Sequence, residues 1–198
     1  MKEFWEERFA QEEYIYGTEP NDFIREQLDI INPGNGLFPA EGEGRNAVYA
    51  ASKGWNVQCF DYSENAKEKA LKLASGKGVK INYNITDLAH LNLAAKVYDA
   101  AFISFLHLST DLRAKVHQQI LESLKPGGKL VMEVYHKKQL PYRTGGPGHP
   151  DMLYTREMLE KDFGKAEFSF YDEGEREVKE GRHHHGKAYT IRIVLKKK

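Results

Sequence analysis

The chain has little with which to cross-link, anchor or charge itself. A single cysteine, Cys59, stands among 198 residues. One thiol excludes an internal disulfide framework and fits a reducing cytoplasm. No apolar run approaches the ~18–20 residues that a membrane-spanning helix needs. The opening stretch MKEFWEERFAQEE is acidic and amphipathic, without the apolar centre and cleavage site of a secretion signal. We therefore expect a cytoplasmic protein with no membrane partner. Lysine plus arginine (29) balance aspartate plus glutamate (29). Zero formal charge argues against a nucleic-acid partner, because gripping phosphates takes clustered positive charge. The terminal LKKK reads as a solvated tail. Internal repeats and low-complexity linkers are missing, and the length suits one core, so a single domain over 1–198 is expected. Oligomeric state leaves no mark in the sequence.

What the chain does have is alternation. Phe4, Trp5 and Phe9 suit an N-terminal helix with one aromatic side. Gly17 and Pro20 mark a turn in YIYGTEPND, and Asn21 is placed to cap a second helix carrying Phe23, Ile24, Leu28 and Ile31. NPGNG breaks that helix. GLFPA, WNVQCFDY, VKINYNI, YDAAFISFLHL and KLVMEVY then read as strands. Helices are expected in RNAVYAASKG, in SENAKEKALKLASGKG with Ser63 as cap, and in STDLRAKVHQQILESLK. The almost wholly apolar YDAAFISFLHL predicts a central strand. A glycine- and proline-rich loop from Tyr142 to Pro150 follows, then a short helix in YTREMLEKDFG and two alternating strands, KAEFSFYDEG and KAYTIRIVL. The pattern predicts an α/β fold: a Rossmann-like doubly wound sheet of about seven strands, mostly parallel with an antiparallel C-terminal strand, helices on both faces.

The segment LFPAEGEGRN, Leu37 to Asn46, poses the chemical question. GEGRNA formally satisfies G-x-G-x-x-G/A, and Asp61 follows about 20 residues on at the end of the next strand, where an acid holds ribose hydroxyls. The plain alternative is a tight turn followed by a helix-capping aspartate. Glu41 and Glu43 decide between nucleotide ligands. A pyrophosphate gains from the positive end of a helix, and two glutamates oppose it. S-adenosylmethionine carries an ammonium and a sulfonium that tolerate acids, while backbone N–H groups or Arg45 can meet its one carboxylate. The turn therefore suits S-adenosylmethionine better than a dinucleotide.

FWEERFAQEEYIYGTEPNDF, AEGEGRNAVYAA, CFDYSENA, FLHL, LKPGG, TGGP and EGRHHHGKA occur in this order. Together they resemble the class I S-adenosylmethionine-dependent methyltransferases and, more narrowly, the small tellurite-resistance-type methyltransferases, over nearly the whole chain. The resemblance implies an N-terminal helical lid segment (1–32), a cofactor-binding core (36–135) and an acceptor-side loop with C-terminal strands (136–198). It places Ala40, Glu41, Gly42, Gly44, Arg45 and Asn46 around the methionyl part of S-adenosylmethionine. Asp61 would bond both ribose hydroxyls, with Tyr62 against the adenine. Asp87 would read the adenine amine beside Leu88, and Ser104 and Phe105 would lie next to the sulfonium. LKPGG is similar to a structural turn. The chain departs from the family's first motif at Phe38 in place of an acid, Ala40 in place of a glycine and Glu41 in place of a cysteine. Pro39 also falls at the end of a central strand, where no ladder N–H is spared.

Methyl transfer from a sulfonium needs no acid for its neutral leaving group. An ionised thiolate or metalloid anion needs little beyond positioning and exclusion of water, whereas a neutral oxygen or nitrogen needs a base. The candidates on the acceptor side are Tyr16, with Tyr14 nearby; His107, just past the fourth strand; His184, which fits the family's H-x-G; and Arg143, suited to an anionic acceptor. Glu133 is a further candidate. His183 to His185 invite a metal reading, yet adjacent residues do not set three imidazoles around one ion, and no metal is expected. The expected function is methyl transfer to a small-molecule acceptor, a thiol or a metalloid oxyanion by the resemblance. A methyltransferase of RNA or protein, a non-catalytic S-adenosylmethionine-binding module and a small dinucleotide-binding protein are the alternatives.

Overall fold

The computed structural model describes residues 2–198; Met1, the first residue of the expected 1–32 segment, lies outside them. Seven strands form one sheet in the order β3-β2-β1-β4-β5-β7-β6. They are β1 (Asn35–Pro39), β2 (Asn56–Asp61), β3 (Asn82–Ile85), β4 (Tyr98–Ser104), β5 (Leu124–Tyr135), β6 (Ala166–Glu180) and β7 (His184–Lys197). Strands β1 to β5 pair in parallel, and β7 joins antiparallel between β5 and β6. The helices are α1 (Lys2–Phe9), α2 (Asp22–Ile30), α3 (Arg45–Ser52), α4 (Glu64–Gly76), α5 (Thr110–Ser123) and α6 (Arg156–Phe163). Among the described residues no helix is long and apolar enough to cross a membrane.

The apolar strand runs arise because both faces of the sheet are covered. Leu37, Ala101, Ile103, Leu130 and Met132 share one core with Val116 and Ile120 of α5 and Leu159 and Phe163 of α6. Their strand neighbours Phe38, Ala100, Phe102 and Val131 point the other way, into a core with Phe23, Ile24 and Leu28 of α2 and the alanines of α3 and α4. The expected caps are present: the Asn21 side chain accepts from Ile24 N, and that of Ser63 accepts from Ala66 N.

Two boundaries differ from expectation. Helix α5 stops at Ser123, and Leu124 and Lys125 already belong to β5. Pro126 explains this, since a proline disfavours helical backbone at the residue before it. The C-terminal hairpin is also longer than its alternating pattern indicates. Its pairing continues through Glu177, Val178 and Lys179 to Glu180 opposite His184. The charged run EREVKE carries no hydrophobic alternation, and pairing to β7 makes it a strand. The added length carries the hairpin tip back over the carboxyl ends of the parallel strands. There Arg182 N donates to Ile15 O, and a Cβ on Gly181 would lie 2.7 Å from Tyr16 Cα.

Candidate active site

Strands β1 and β4 separate at their carboxyl ends, the switch point where open α/β sheets bind ligands. β1 pairs with β4 only at Gly36 and Leu37, but with β2 through Pro39. Pro39 therefore closes the strand rather than interrupting a two-sided ladder. The chain then turns through Ala40 (φ +49°), Gly42 (φ +60°) and Gly44 (φ +86°) into α3. Of four non-glycine residues with positive φ among those described, Ala40, Phe105 and Arg143 line one cavity. Backbone strain of this kind concentrates where a binding site over-determines the chain.

That cavity has a volume of about 930 Å³, within the range of small-molecule sites. Ala40, Glu41, Gly42, Arg45, Asn46, Asp61, Tyr62, Asp87, Leu88, Ser104 and Phe105 all line it, as do Tyr16, His107, Arg143 and His184. Gly44 is the exception. A Cβ there would lie 2.6 Å from Ala70 Cβ, so Gly44 allows the close approach of α3 to α4. Glu133 also stands outside the cavity: it accepts from Asn21 Nδ2, Thr190 Oγ1 and Arg192 Nε at 2.8–2.9 Å and acts as a buried hub.

The two glutamates of the glycine turn have separate tasks. Glu41 Oε1 accepts from the backbone N–H groups of Asn46 and Ala47, both at 2.8 Å. A carboxylate of the protein thus holds the N-terminus of α3, the place a phosphate takes in nucleotide-binding turns. Loss of solvent pushes Glu41 up to about 7. Glu43 fastens the N-terminal segment: its Oε2 accepts from Ile15 N at 2.8 Å and Tyr16 N at 3.4 Å, and Lys69 pairs with Oε1 at 2.6 Å. Asp61 accepts from Gly42 N (3.2 Å) and Ser63 N (3.1 Å), and burial raises it to about 6. Asp61 is a buried carboxylate at the cavity wall, where its oxygens can also accept from ligand hydroxyls. Asp87 caps the next turn, accepting from Ala89 N at 2.9 Å.

The other half of the cavity comes from segments far apart in the chain. His184, at the hairpin tip, is buried, with its ring 4.4 Å from that of Tyr16 and 4.6 Å from that of Phe105. Its Nδ1 lies 3.6 Å from Glu180 Oε2. Glu180 is held by Arg45 at 2.5 Å and by Asn21 Nδ2 at 2.7 Å. Burial, first of all, lowers the His184 pKa, so the ring is neutral. His183 and His185 are exposed, because successive strand residues face opposite sides. His107 is different. Its Nδ1 lies 2.8 Å from Met152 O, and its Nε2 accepts from Tyr135 N at 3.3 Å. With both nitrogens committed to the main chain and burial lowering it to about 4, it shapes the wall and does not serve as a base. Arg143 is exposed on the loop after β5.

Sequence reasoning missed the wall residues Arg8, Gln139, Leu106 and Leu108, and Glu180 behind His184. Arg8 donates to Tyr16 Oη at 3.3 Å and lies 4.5 Å from the Phe4 ring centroid. The aromatic side of α1 was its only signal.

Residues 39–128, a little under half of the chain, match the model of a family described as a methyltransferase domain. The match makes this segment similar to a methyltransferase domain. By sequence, no curated protein matches. In fold, the chain is similar to the N-methyltransferase NodS from Bradyrhizobium japonicum WM9 in complex with S-adenosyl-L-homocysteine, at 13% identity and TM-score 0.75, over 99% of this chain and 97% of that one. It is similar to TehB from Haemophilus influenzae at 18% identity and TM-score 0.71, over 98% and 67%. A structure concerned with conversion of a disulfide bond into a thioacetal group during echinomycin biosynthesis matches at 16% and 0.76, over 100% and 91%. At such identities the likeness establishes the fold. The residues of the matched segment fit S-adenosylmethionine better than a dinucleotide: Asp61 brings a carboxylate to the cavity wall, and Glu41 puts an acid where a pyrophosphate would require none.

Proposed function

We propose that the protein methylates a small acceptor presenting a thiol or a metalloid oxyanion. The observation that carries this reading is the enclosure of the cavity, walled by Phe105 and His184 and lying under cover of α1, the segment at Tyr16 and the 142–148 loop, which positions an acceptor and excludes water. A cavity closed by three segments suits a small molecule.

When bound, S-adenosylmethionine supplies an electrophilic methyl group on a sulfonium that departs as a neutral thioether. Asp61 would hold its ribose, Tyr62 and Asp87 its base, and the turn from Ala40 to Asn46 its methionyl part. The chain's own contribution lies on the acceptor side. Where the acceptor arrives as a neutral thiol, His184 takes its proton and Glu180 stabilises the imidazolium that forms; an anionic acceptor needs no such transfer. Tyr16 shields this pair from water. Arg8 and Arg143, for which no carboxylate partner is found among the described residues, draw an anionic acceptor to the mouth. A dinucleotide is disfavoured because Glu41 already holds the helix N–H groups.

The test is thermal unfolding with S-adenosylhomocysteine or NAD in excess, followed by turnover of S-adenosylmethionine with benzenethiol, 2-mercaptoethanol, selenite and tellurite. Stabilisation by the adenosyl ligand and turnover with one or more of these acceptors support the reading. Stabilisation by NAD alone removes it.

A further inference from the structure

We infer that the Tyr135 phenol is an acceptor-binding group of this site, covered here by the Gly145–Gly146 turn and donating a hydrogen bond to an acceptor oxygen or sulfur once that turn lifts. The inference rests on the methyl-transfer reading above.

Tyr135 ends β5, at the edge of the sheet where Ser104 ends β4. The side chain is fully buried, yet its hydroxyl has no hydrogen-bond partner. Such orphaned groups are costly and rare in folded proteins, and each calls for a reason. Packing holds the ring in place: it stacks on Phe105 at 4.5 Å and His107 at 5.6 Å and meets His184 edge-on at 5.3 Å. These three neighbours all line the cavity. The Gly145–Gly146 turn, which also lines that space, lies directly on the hydroxyl.

The turn is shaped for the cover. Gly145 (φ +148°) and Gly146 (φ +82°) both have positive φ. A Cβ on Gly145 would collide with the Tyr135 hydroxyl and lie 2.8 Å from His184 Cδ2. One on Gly146 would lie 2.8 Å from Tyr135 Cδ2. Two glycines let the backbone lie on the phenol and the imidazole at once. The turn is tied down by few bonds: Thr144 Oγ1 to Lys187 O, and Gln139 Nε2 to Thr144 Oγ1 and Gly145 O. With Nδ1 turned to Glu180, the His184 edge that carries Cδ2 lies under the same lightly tethered flap as the orphaned Tyr135 hydroxyl. Burial keeps the phenol protonated, hence a donor, while neutral His184 is an acceptor. A thiol or hydroxyl, with one proton to give and a lone pair to receive, matches both. The proton passes to His184, and Tyr135 keeps its own.

The variant Tyr135→Phe tests this in three ways. The free protein should keep its Tm or gain about 2–5 °C, because an unpartnered hydroxyl is removed. A clear fall in Tm would mean that the hydroxyl is already satisfied, and the assignment goes. S-adenosylhomocysteine affinity should stay within about twofold, while the KM for whichever of benzenethiol, 2-mercaptoethanol, selenite or tellurite is turned over best rises about tenfold. Equal kcat/KM in both proteins overturns the assignment. In 3-fluorotyrosine-labelled protein loaded with S-adenosylhomocysteine, benzenethiol should shift the resonance that Tyr135→Phe removes; an unmoved resonance counts against it. If the wild type fails to bind S-adenosylhomocysteine, the methyl-transfer reading fails instead, and the Tm comparison still judges whether the hydroxyl is orphaned.

Discussion

The two halves of the cavity are built in different ways. The cofactor half comes from one stretch, Ala40 to Phe105, in which each ligand-facing residue ends a parallel strand or starts the helix after it. Pleat and strand order deliver those residues to one edge whatever their chemistry. The half proposed to take the acceptor gathers Arg8 and Tyr16 from the N-terminal segment, Arg143 and Gly145 from a loop, and His184, with Glu180 behind it, from a hairpin tip. Nothing local brings these together. They meet because β6 and β7 run long, and because Glu43 and Asn21 pin the N-terminal segment to the sheet. A ligand common to many proteins is held by the shared framework; the ligand particular to one is held by whatever is draped over it.

That contrast can be broken at either half, beginning where the effect is largest. Replacing His184 with Gln should lower turnover by about 100-fold or more, the usual worth of a positioned base, while S-adenosylhomocysteine affinity holds. Calorimetry beside a turnover assay checks this, and a parallel loss of cofactor affinity would merge the two halves. Asp61→Ala should do the reverse. Its affinity for S-adenosylhomocysteine should fall by 1–3 kcal/mol, or about 5- to 150-fold, and unchanged affinity would remove Asp61 from the site.

A pH titration of binding sharpens the same point. Burial raises Asp61 to about 6, and hydroxyl donors favour its ionised form. Affinity for S-adenosylhomocysteine should therefore be full above pH 7 and drop about tenfold by pH 5, as the carboxylate takes up the proton that binding must displace. The Asp61→Asn variant should lose that dependence. Arg143→Ala has the smallest expected effect, a rise of about two- to fivefold in the KM of an anionic acceptor that added salt should reproduce in the wild type. A change in cofactor affinity would show that the loop serves both halves.

Much of the fold was legible because its causes are local. Apolar runs became two-sided strands, Asn21 and Ser63 became caps, and glycines at positive φ became turns. The acids of the glycine turn were legible only as charges. Glu41 turned toward α3 and Glu43 toward the chain at Ile15, and either orientation fits the same letters. The close approach of Gly44 to Ala70 was not legible, because spacing does not distinguish backbone near a ligand from backbone near a helix.

By itself, the sequence determined the strand–helix alternation, the position of the glycine turn and the acid 61, since periodicity and turn chemistry act over a few residues. Tertiary structure alone decided that His107 spends both nitrogens on the main chain and that His184 gains a carboxylate behind it. It also decided that Tyr135 keeps a hydroxyl without a partner. Those outcomes depend on contacts between segments many residues apart, and a side chain's charge and hydrogen bonds are set by what folding places beside it.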